Sequence, residues 1–558
     1  MSSVNQLQKP IRSTHSALSI WVPLLTCTVM LGACSAVGPD YQKPAMDSPL
    51  RWKTEPGWQV AEPTDHLLKG KWWEIYADTQ LNQLEDRALA GNNNLIVAQA
   101  RLDQSRALTA SASSFLLPRI GMTAGTAKSR DSNVRPYTAQ NQTYAGSVQQ
   151  SDFNVGLNVS YELDLAGRVR RQLEGAKASE QQVASDFENT KLILTAQLAV
   201  SYFSLRELDA EVSLVKEILK SQREAVAYVS SRFELGASSQ LDVDQQTALM
   251  SGTEAQLQTL LDQRARFEHA IATLTGVPAS NFSIAPSAVL PVPAQIPLVQ
   301  PAQLLQRRPD IASAERAVAA ANAQIGVAKA AYFPTVNLGG VYGADSNARY
   351  LLFTSPALLW SYGLSATQTL FDAGRTSAAV NAAKASNSQA VANYKQIVLN
   401  AFEEVENTLY TQGALEQASK SLSVAVKSSK NALSLSQARY ETGAANHLEY
   451  LLAQQTYLGF ARQDVQNKGQ RLLNSVLIVK AMGGGWTNKA EGVSEISNGT
   501  TYYDSNANAN ANANATKSQV SAISSSNSSN SSLTSTTGSN QKTENISNTK
   551  QSINQASN

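Results

Sequence analysis

The chemistry a chain can perform begins with its nucleophiles, acids and metal ligands, and here few of them are grouped. The two cysteines, Cys27 and Cys34, both fall within the first 34 residues, so the body of the chain has neither a disulfide framework nor a thiolate metal site. Of the four histidines, His15 lies in the leader, while His66, His269 and His447 are isolated and lack metal-ligand spacing. Gly483-Gly484-Gly485 precedes no helix and no lysine-serine pair, so it cannot cradle a phosphate, and there is no Gly-x-Ser-x-Gly elbow. The six methionines are dispersed and form no soft-metal relay. The sequence thus predicts no catalytic site, metal or cofactor. Two features remain: the thiol of Cys34, and the carboxylates Asp242, Asp244 and Glu449, each just beyond a short turn. Isolated carboxylates on helices are solvated faces unless symmetry repeats them into a ring, where they attract cations and repel one another.

The elements that position these groups have two periods. From Phe153 the residues alternate, with Val155, Leu157, Val159, Tyr161 and Leu163 on one face and Asn154, Gly156, Asn158, Ser160 and Glu162 on the other. That is a β period, and its length suits a tilted strand with one face to lipid and the other to water. After Asp164 and Gly167 the pattern turns helical, with no proline until well past Gly236, which allows a helix of roughly 105 Å at 1.5 Å per residue. Steps of four and three from Leu194 pass through Leu198, Ser201, Leu205, Leu208, Val212, Val215, Leu219, Gln222, Val226, Val229 and Phe233, a coiled-coil seam. The whole unit recurs 207 positions on: Trp360, Tyr362, Leu364, Ala366, Gln368 and Leu370 repeat the strand, and Ala373-Gly374-Arg375 repeats Ala166-Gly167-Arg168. Arg439-Tyr440-Glu441-Thr442-Gly443 likewise repeats Arg232-Phe233-Glu234-Leu235-Gly236, so the chain is an internal duplication.

Each copy also predicts a helix before its strands, from about Thr79 to Phe115 and from near Pro309 to before Pro334, followed by a weaker strand through Ile120 and Met122 or through Val336 and Leu338. The polar segments 128–151 and 344–356 read as surface-exposed loops. Past each long helix the chain reverses at Gly236-Ala237-Ser238-Ser239 and Gly443-Ala444-Ala445-Asn446, into helices from about Leu241 to Thr275 and Leu448 to Met482. In the second copy Gln412 and Ser436 replace Leu205 and Val229, a wetter seam suited to a lumen or a looser neighbour. Four strands cannot close a membrane barrel, because an open edge in lipid leaves backbone groups unpaired, so the chain must oligomerise to insert.

Lys9, Arg12 and the apolar run from Ala17 to Leu31 read as a secretory signal, too short and too interrupted by Pro23 to span a bilayer. Leu31-Gly32-Ala33-Cys34 resembles a bacterial lipobox with Cys34 as the lipidated first mature residue, and Ser35 suits sorting to the outer membrane. A plain cleaved signal with an incidental cysteine is the alternative. The expected organisation is a signal at 1–33, an extended arm at 34–78, a first repeat at 79–276, a linker at 277–301, a second repeat at 302–486 and a disordered asparagine- and serine-rich tail at 487–558. A formal net charge of +2 gives no basic stripe for nucleic acid.

Three motifs, Val37-Gly38-Pro39-Asp40-Tyr41-Gln42-Lys43-Pro44, Lys71-Trp72-Trp73-Glu74-Ile75-Tyr76 and Leu304-Leu305-Gln306-Arg307-Arg308-Pro309-Asp310-Ile311, together with the duplication, resemble the TolC-type outer-membrane efflux factors over Cys34 to Trp486. The lipoprotein branch of tripartite, RND-type drug-efflux systems is the nearest resemblance. It implies a mixed α and β fold: a homotrimer with a twelve-stranded outer-membrane barrel continuous with a long periplasmic helical coiled-coil barrel. It also implies a lipid-anchored exit duct that partners a periplasmic adaptor and an inner-membrane pump and opens at its helix tips. In that family acidic residues of the second hairpin line the inner gate. Here Glu449 fills one such position, Leu452 stands where aspartate is common, and Ala445 where some members place arginine. A mixed seal of Asp242, Asp244, Glu449, Tyr450 and Leu452 is one reading, and solvated tip residues the other. Arg232, Gly236, Arg439 and Gly443 are candidate adaptor contacts, although helix capping explains the glycines equally well. A surface adhesin or structural coiled coil is the competing class, and amphipathic strands duplicated without a gap disfavour it.

Overall fold

The computed structural model describes residues 36–49, 52–53, 70–130, 132, 149–293, 296 and 301–484. These lie in one unit, which ends at Lys489. The signal, Cys34 and the asparagine- and serine-rich tail fall outside the described residues.

After a 3-10 turn at Trp72–Tyr76 come helices α1 (Thr79–Gly91) and α2 (Asn93–Ser114), then strands β1 (Arg119–Arg130) and β2 (Gln149–Leu163). Helix α3 (Arg168–Glu234) runs down and α4 (Gln240–Leu274) returns. The second copy follows as α5 (Pro301–Arg307), α6 (Pro309–Ala330), β3 (Thr335–Ser346), β4 (Leu358–Thr367), α7 (Arg375–Glu441) and α8 (His447–Ala481). Both long helices have 67 residues, which is about 100 Å. None of the described helices is long and apolar enough to cross a membrane.

The strands form one antiparallel sheet in the order β1-β2-β3-β4, with β1 and β4 as open edges. The expected single helix from Thr79 to Phe115 is instead two. Asn92 interrupts it with an extended backbone, its side-chain oxygen accepts from the N–H groups of Asn94 and Leu95, and its amide donates 2.9 Å to the Leu274 carbonyl. A cap, a tertiary bond and a change of direction therefore meet at one residue. Trp72–Tyr76 adds a 3-10 turn to the segment read as extended, and α5 precedes the helix expected at Pro309.

The core changes neighbours along α3. Near its middle, Leu198, Tyr202, Phe203 and Leu205 pack with Trp72, Trp73, Tyr76, Leu81, Leu84 and Leu472. Lower down, Leu208, Val212, Val215 and Leu219 meet Leu257 and Leu260 of α4. At the tip, Ala225 and Val229 meet Tyr440 and Tyr450 of the second hairpin. The seam from Leu194 is buried through Gln222; beyond it Val229 stays buried and Ala225 joins it, while Val226 is half-buried and Phe233 exposed. Tyr440 of α7 and Tyr450 of α8 join Val243 of α4 as partners here, and the buried face turns with them. A second core joins Ile311 and Val318 of α6 to Tyr394, Val398, Phe402 and Val405 of α7 and Ile478 of α8, and Tyr41, Met46 and Trp52 of the arm pack against it.

Candidate functional site: the sheet, its junction and the hairpin tips

Register sorts the sheet into two faces. Met122, Leu157, Tyr342 and Trp360 lie opposite one another in a row across all strands, beside the row Ile120, Val159, Gly340 and Tyr362. On the other face Gly121, Asn158, Val341 and Ser361 align, as do Thr123, Gly156, Gly343 and Leu359. The apolar row is open to its surroundings, with Met122 71%, Tyr342 59% and Trp360 65% exposed. A contiguous apolar face of this kind marks contact with lipid or protein. Gly343 pairs with Gly156, and a β-carbon on Gly343 would collide with the Val155 carbonyl, so this second face admits no side chain there.

Each strand passes into its long helix through a left-handed glycine, Gly167 or Gly374, which has no side chain to cap the helix. An upstream aspartate does so instead. Asp164 accepts from the N–H groups of Val169 (3.1 Å) and Arg170 (2.9 Å), and Asp372 from those of Gly374 (2.9 Å) and Thr376 (2.8 Å). The arm begins at the first of these junctions. Val37 donates to the Ala166 carbonyl, and a β-carbon on Gly167 would collide with Ala36. The buried Arg171 guanidinium donates to the carbonyls of Ala36, Val37 and Gly38 and pairs with Asp40 and Glu174, each at 2.7 Å. From there the arm descends: Asn322 holds the Pro39 carbonyl, Lys43 pairs with Glu315, and Trp52 meets Phe402 edge-on. Cys34 lies outside the described residues, two positions upstream of Ala36.

At the far end the two hairpin tips interlock. Gly236 and Gly443 take positive φ, 76° and 77°, which ends each helix and reverses the chain. Arg232 lies over the rings of Tyr228 (5.8 Å) and Tyr440 (5.1 Å), and donates to the backbone carbonyls of Tyr440 and Ala237. Its duplicate, Arg439, stays within its own hairpin, 2.6 Å from Glu449 and near the Ala444 carbonyl. Asp242 completes a capping box with Ser239 and accepts from Ser238. Burial works against its charge, but these hydrogen bonds prevail and hold it below the usual carboxylate range. Asp244 accepts from Gln240. Tyr450 is buried, stacked 5.7 Å from Tyr440, and accepts from Gln454, whose side-chain oxygen accepts from Gln246 of the first hairpin. Leu452 is 52% exposed, and Leu235, Leu241 and Leu448 are also exposed around the tips.

The structure thus brings Arg232 and Tyr450 into one cluster through Tyr440, and sets Glu449, Asp244 and Leu452 at its rim. Sequence reading missed Tyr440, Tyr228, His447, Gln246 and Gln454 as members of this cluster. Tyr440 carried a signal, since it continues the second-copy seam at the position of Phe233. Gln246 and Gln454 carried none, because a polar residue in a helix reads as exposed. Among the described residues no cluster could hold a metal ion.

The sequence profile described as outer membrane efflux protein matches residues 84–277 and 300–484. Among curated relatives, the outer membrane protein OprJ of Pseudomonas aeruginosa is 31% identical over 83% of this chain and 96% of its own. The solvent efflux pump outer membrane protein SrpC of Pseudomonas putida is 32% identical over 82% and 97%. Among solved structures, the outer-membrane channel OprN matches with a TM-score of 0.73 and 30% identity, covering 81% of this chain and 99% of that one. The open state of the Neisseria gonorrhoeae MtrE outer membrane channel matches with a TM-score of 0.70 and 28% identity, covering 81% and 98%. Strands with one apolar face, helices of this length and a match across both copies agree, and the chain belongs to the outer membrane efflux protein family.

Proposed function

We propose that three copies of this chain close their sheets, edge β1 against edge β4, into one twelve-stranded barrel in the outer membrane, and their helices into a tube below it. The assembly is a passive exit duct that receives small molecules from a periplasmic adaptor and an inner-membrane pump. It performs no reaction on them. One observation carries this reading: a sheet of four strands whose register assembles an unbroken apolar face yet leaves both edges unpaired. Neither lipid nor water suits such a sheet alone, and more copies of it satisfy both requirements.

Lipidation of Cys34 fits the arm. Ala36 packs at Gly167, where strand becomes helix, and Cys34 stands two residues before it in the sequence. At the other end the interlocked tips form the gate, with Tyr450 packing it, Asp242 and Asp244 bracing the first turn, and Glu449 and Leu452 on its rim. The exposed turns around Arg232, Gly236, Arg439 and Gly443 offer the surface an adaptor would meet. Relatives are named for solvent efflux, toluene efflux and pyoverdine export. Such different cargoes suit a duct whose selectivity resides in the pump.

The test is single-channel recording of the detergent-extracted protein in planar bilayers, together with its mass in detergent. Discrete pores from a trimer, small at rest and leakier in a Glu449→Ala, Asp242→Ala double variant, are expected. A monomer without conductance would remove the barrel, and unchanged gating in the variant would remove these carboxylates from the gate.

A further inference from the structure

The two tips are duplicates in sequence but not in chemistry. Position 447 begins α8 as histidine where the first copy has Gln240, an exposed residue, while Tyr440 and Tyr450 replace Phe233 and Val243. His447 is 4% exposed, 5.2 Å from the Tyr440 ring and 6.3 Å from Tyr450, and neither ring nitrogen has a hydrogen-bond partner. An imidazolium must donate from both nitrogens, and here neither nitrogen has an acceptor within hydrogen-bond reach. It would also sit at the first residue of a helix, where the macrodipole opposes a cation.

The charged and titratable groups around it are few. Tyr440 and Tyr450 of the second hairpin face it, and Asp242 of the first hairpin is the one carboxylate that acts on it; Tyr228 and Arg232 lie against Tyr440, Glu441 acts on Tyr450, and Arg439 and Glu449 neutralise each other. Asp242 alone favours a cation at His447, but its carboxylate already caps the first turn through Ser238 and Ser239. Arg232 is a standing cation on Tyr440. Burial accordingly holds the His447 imidazole below the usual histidine range, and Asp242 offsets this only in part.

We propose that His447 makes closure of the tip pH-dependent: neutral, it fills the space beside Tyr440 and Tyr450 and holds the second hairpin against the first; protonated, it leaves that space and the tip loosens. The inference rests on the tips being the gate. Because the proton binds the loosened tip more tightly than the closed one, closure is complete above the ordinary histidine range and weakens as pH falls through it. The duct would therefore leak more in acid.

The experiment records resting conductance of the full-length trimer at about pH 7.5 and about pH 5.5, for the wild type, His447→Phe and His447→Gln. The wild type should become about threefold or more leakier in acid, and His447→Phe should show no change with pH. A flat wild type, or a variant that keeps the wild-type profile, overturns the proposal. Should the variants not assemble, amide exchange of the wild type decides: after correction for intrinsic rates, residues 438–450 should open faster in acid while residues 168–200 do not, and equal change in both overturns it. Absence of pores at every pH counts against the duct itself and not against this switch.

Discussion

Replacing Glu85 by leucine should stabilise the chain increasingly as pH rises. Glu85 lies on α1 against the central core, is 0% exposed, and neither carboxylate oxygen has a hydrogen-bond partner. Burial, with a smaller contribution from the Asp86 charge, pushes its carboxyl from 4.5 up to about 9. The folded protein therefore holds a proton there at neutral pH that the unfolded chain releases. With the folded value above the unfolded one, the stability is fully present below about pH 4.5 and is lost as pH rises toward 9. At 1.36 kcal/mol per unit, the loss by pH 7 is about 3 kcal/mol. Glu85→Leu removes that slope. Its stability relative to wild type should improve by about 3 kcal/mol between pH 4.5 and pH 7, whatever its packing change contributes at the lower pH. Glu85→Gln, which keeps the shape and cannot ionise, should share the slope. The measurement is denaturant unfolding of the detergent-solubilised trimer at several pH values under one protocol. A difference between variant and wild type that does not change with pH would refute the reasoning, because it would mean that Glu85 is charged and paired in the folded protein.

Three further perturbations can be tested. Asp209 receives both Arg206 (2.9 Å) and Arg264 (2.6 Å) in a buried cluster, so Asp209→Ala leaves the Arg206 guanidinium without a carboxylate and Arg264 with Glu268 alone, and should cost about 3 kcal/mol, read as loss of folded trimer. Gly343→Ala drives a methyl group into the neighbouring strand, whereas a β-carbon on Gly339 meets nothing within 4 Å; the first should abolish heat-modifiable trimer on a gel and the second should leave it intact. Cys34→Ser should eliminate acyl incorporation measured by mass spectrometry, while retained acylation would place the anchor elsewhere.

The sequence by itself determined the strands, the long helices and their duplication. Alternation from Phe153 fixes which residues share a face, because a pleated strand leaves no freedom in that choice. The glycines after Leu235 and Thr442 mark where the long helices end, and Asp164 and Asp372 lie beside the glycines where they begin. These are local rules, and a duplicated chain states them twice. What only the tertiary structure decided depends on which surfaces meet. At the break, Asn92 also holds the Leu274 carbonyl, which lies 182 residues away. Arg232 and Arg439 are equivalent in sequence, yet one crosses to Tyr440 and the other pairs with Glu449 of its own hairpin. Glu85, Gln246 and His447 read as ordinary polar residues on amphipathic helices and are buried all the same. Periodicity reports the face a helix turns to its nearest neighbour. It carries no record of the second neighbour, and at the tip of α3 it is the second neighbour that sets the chemistry.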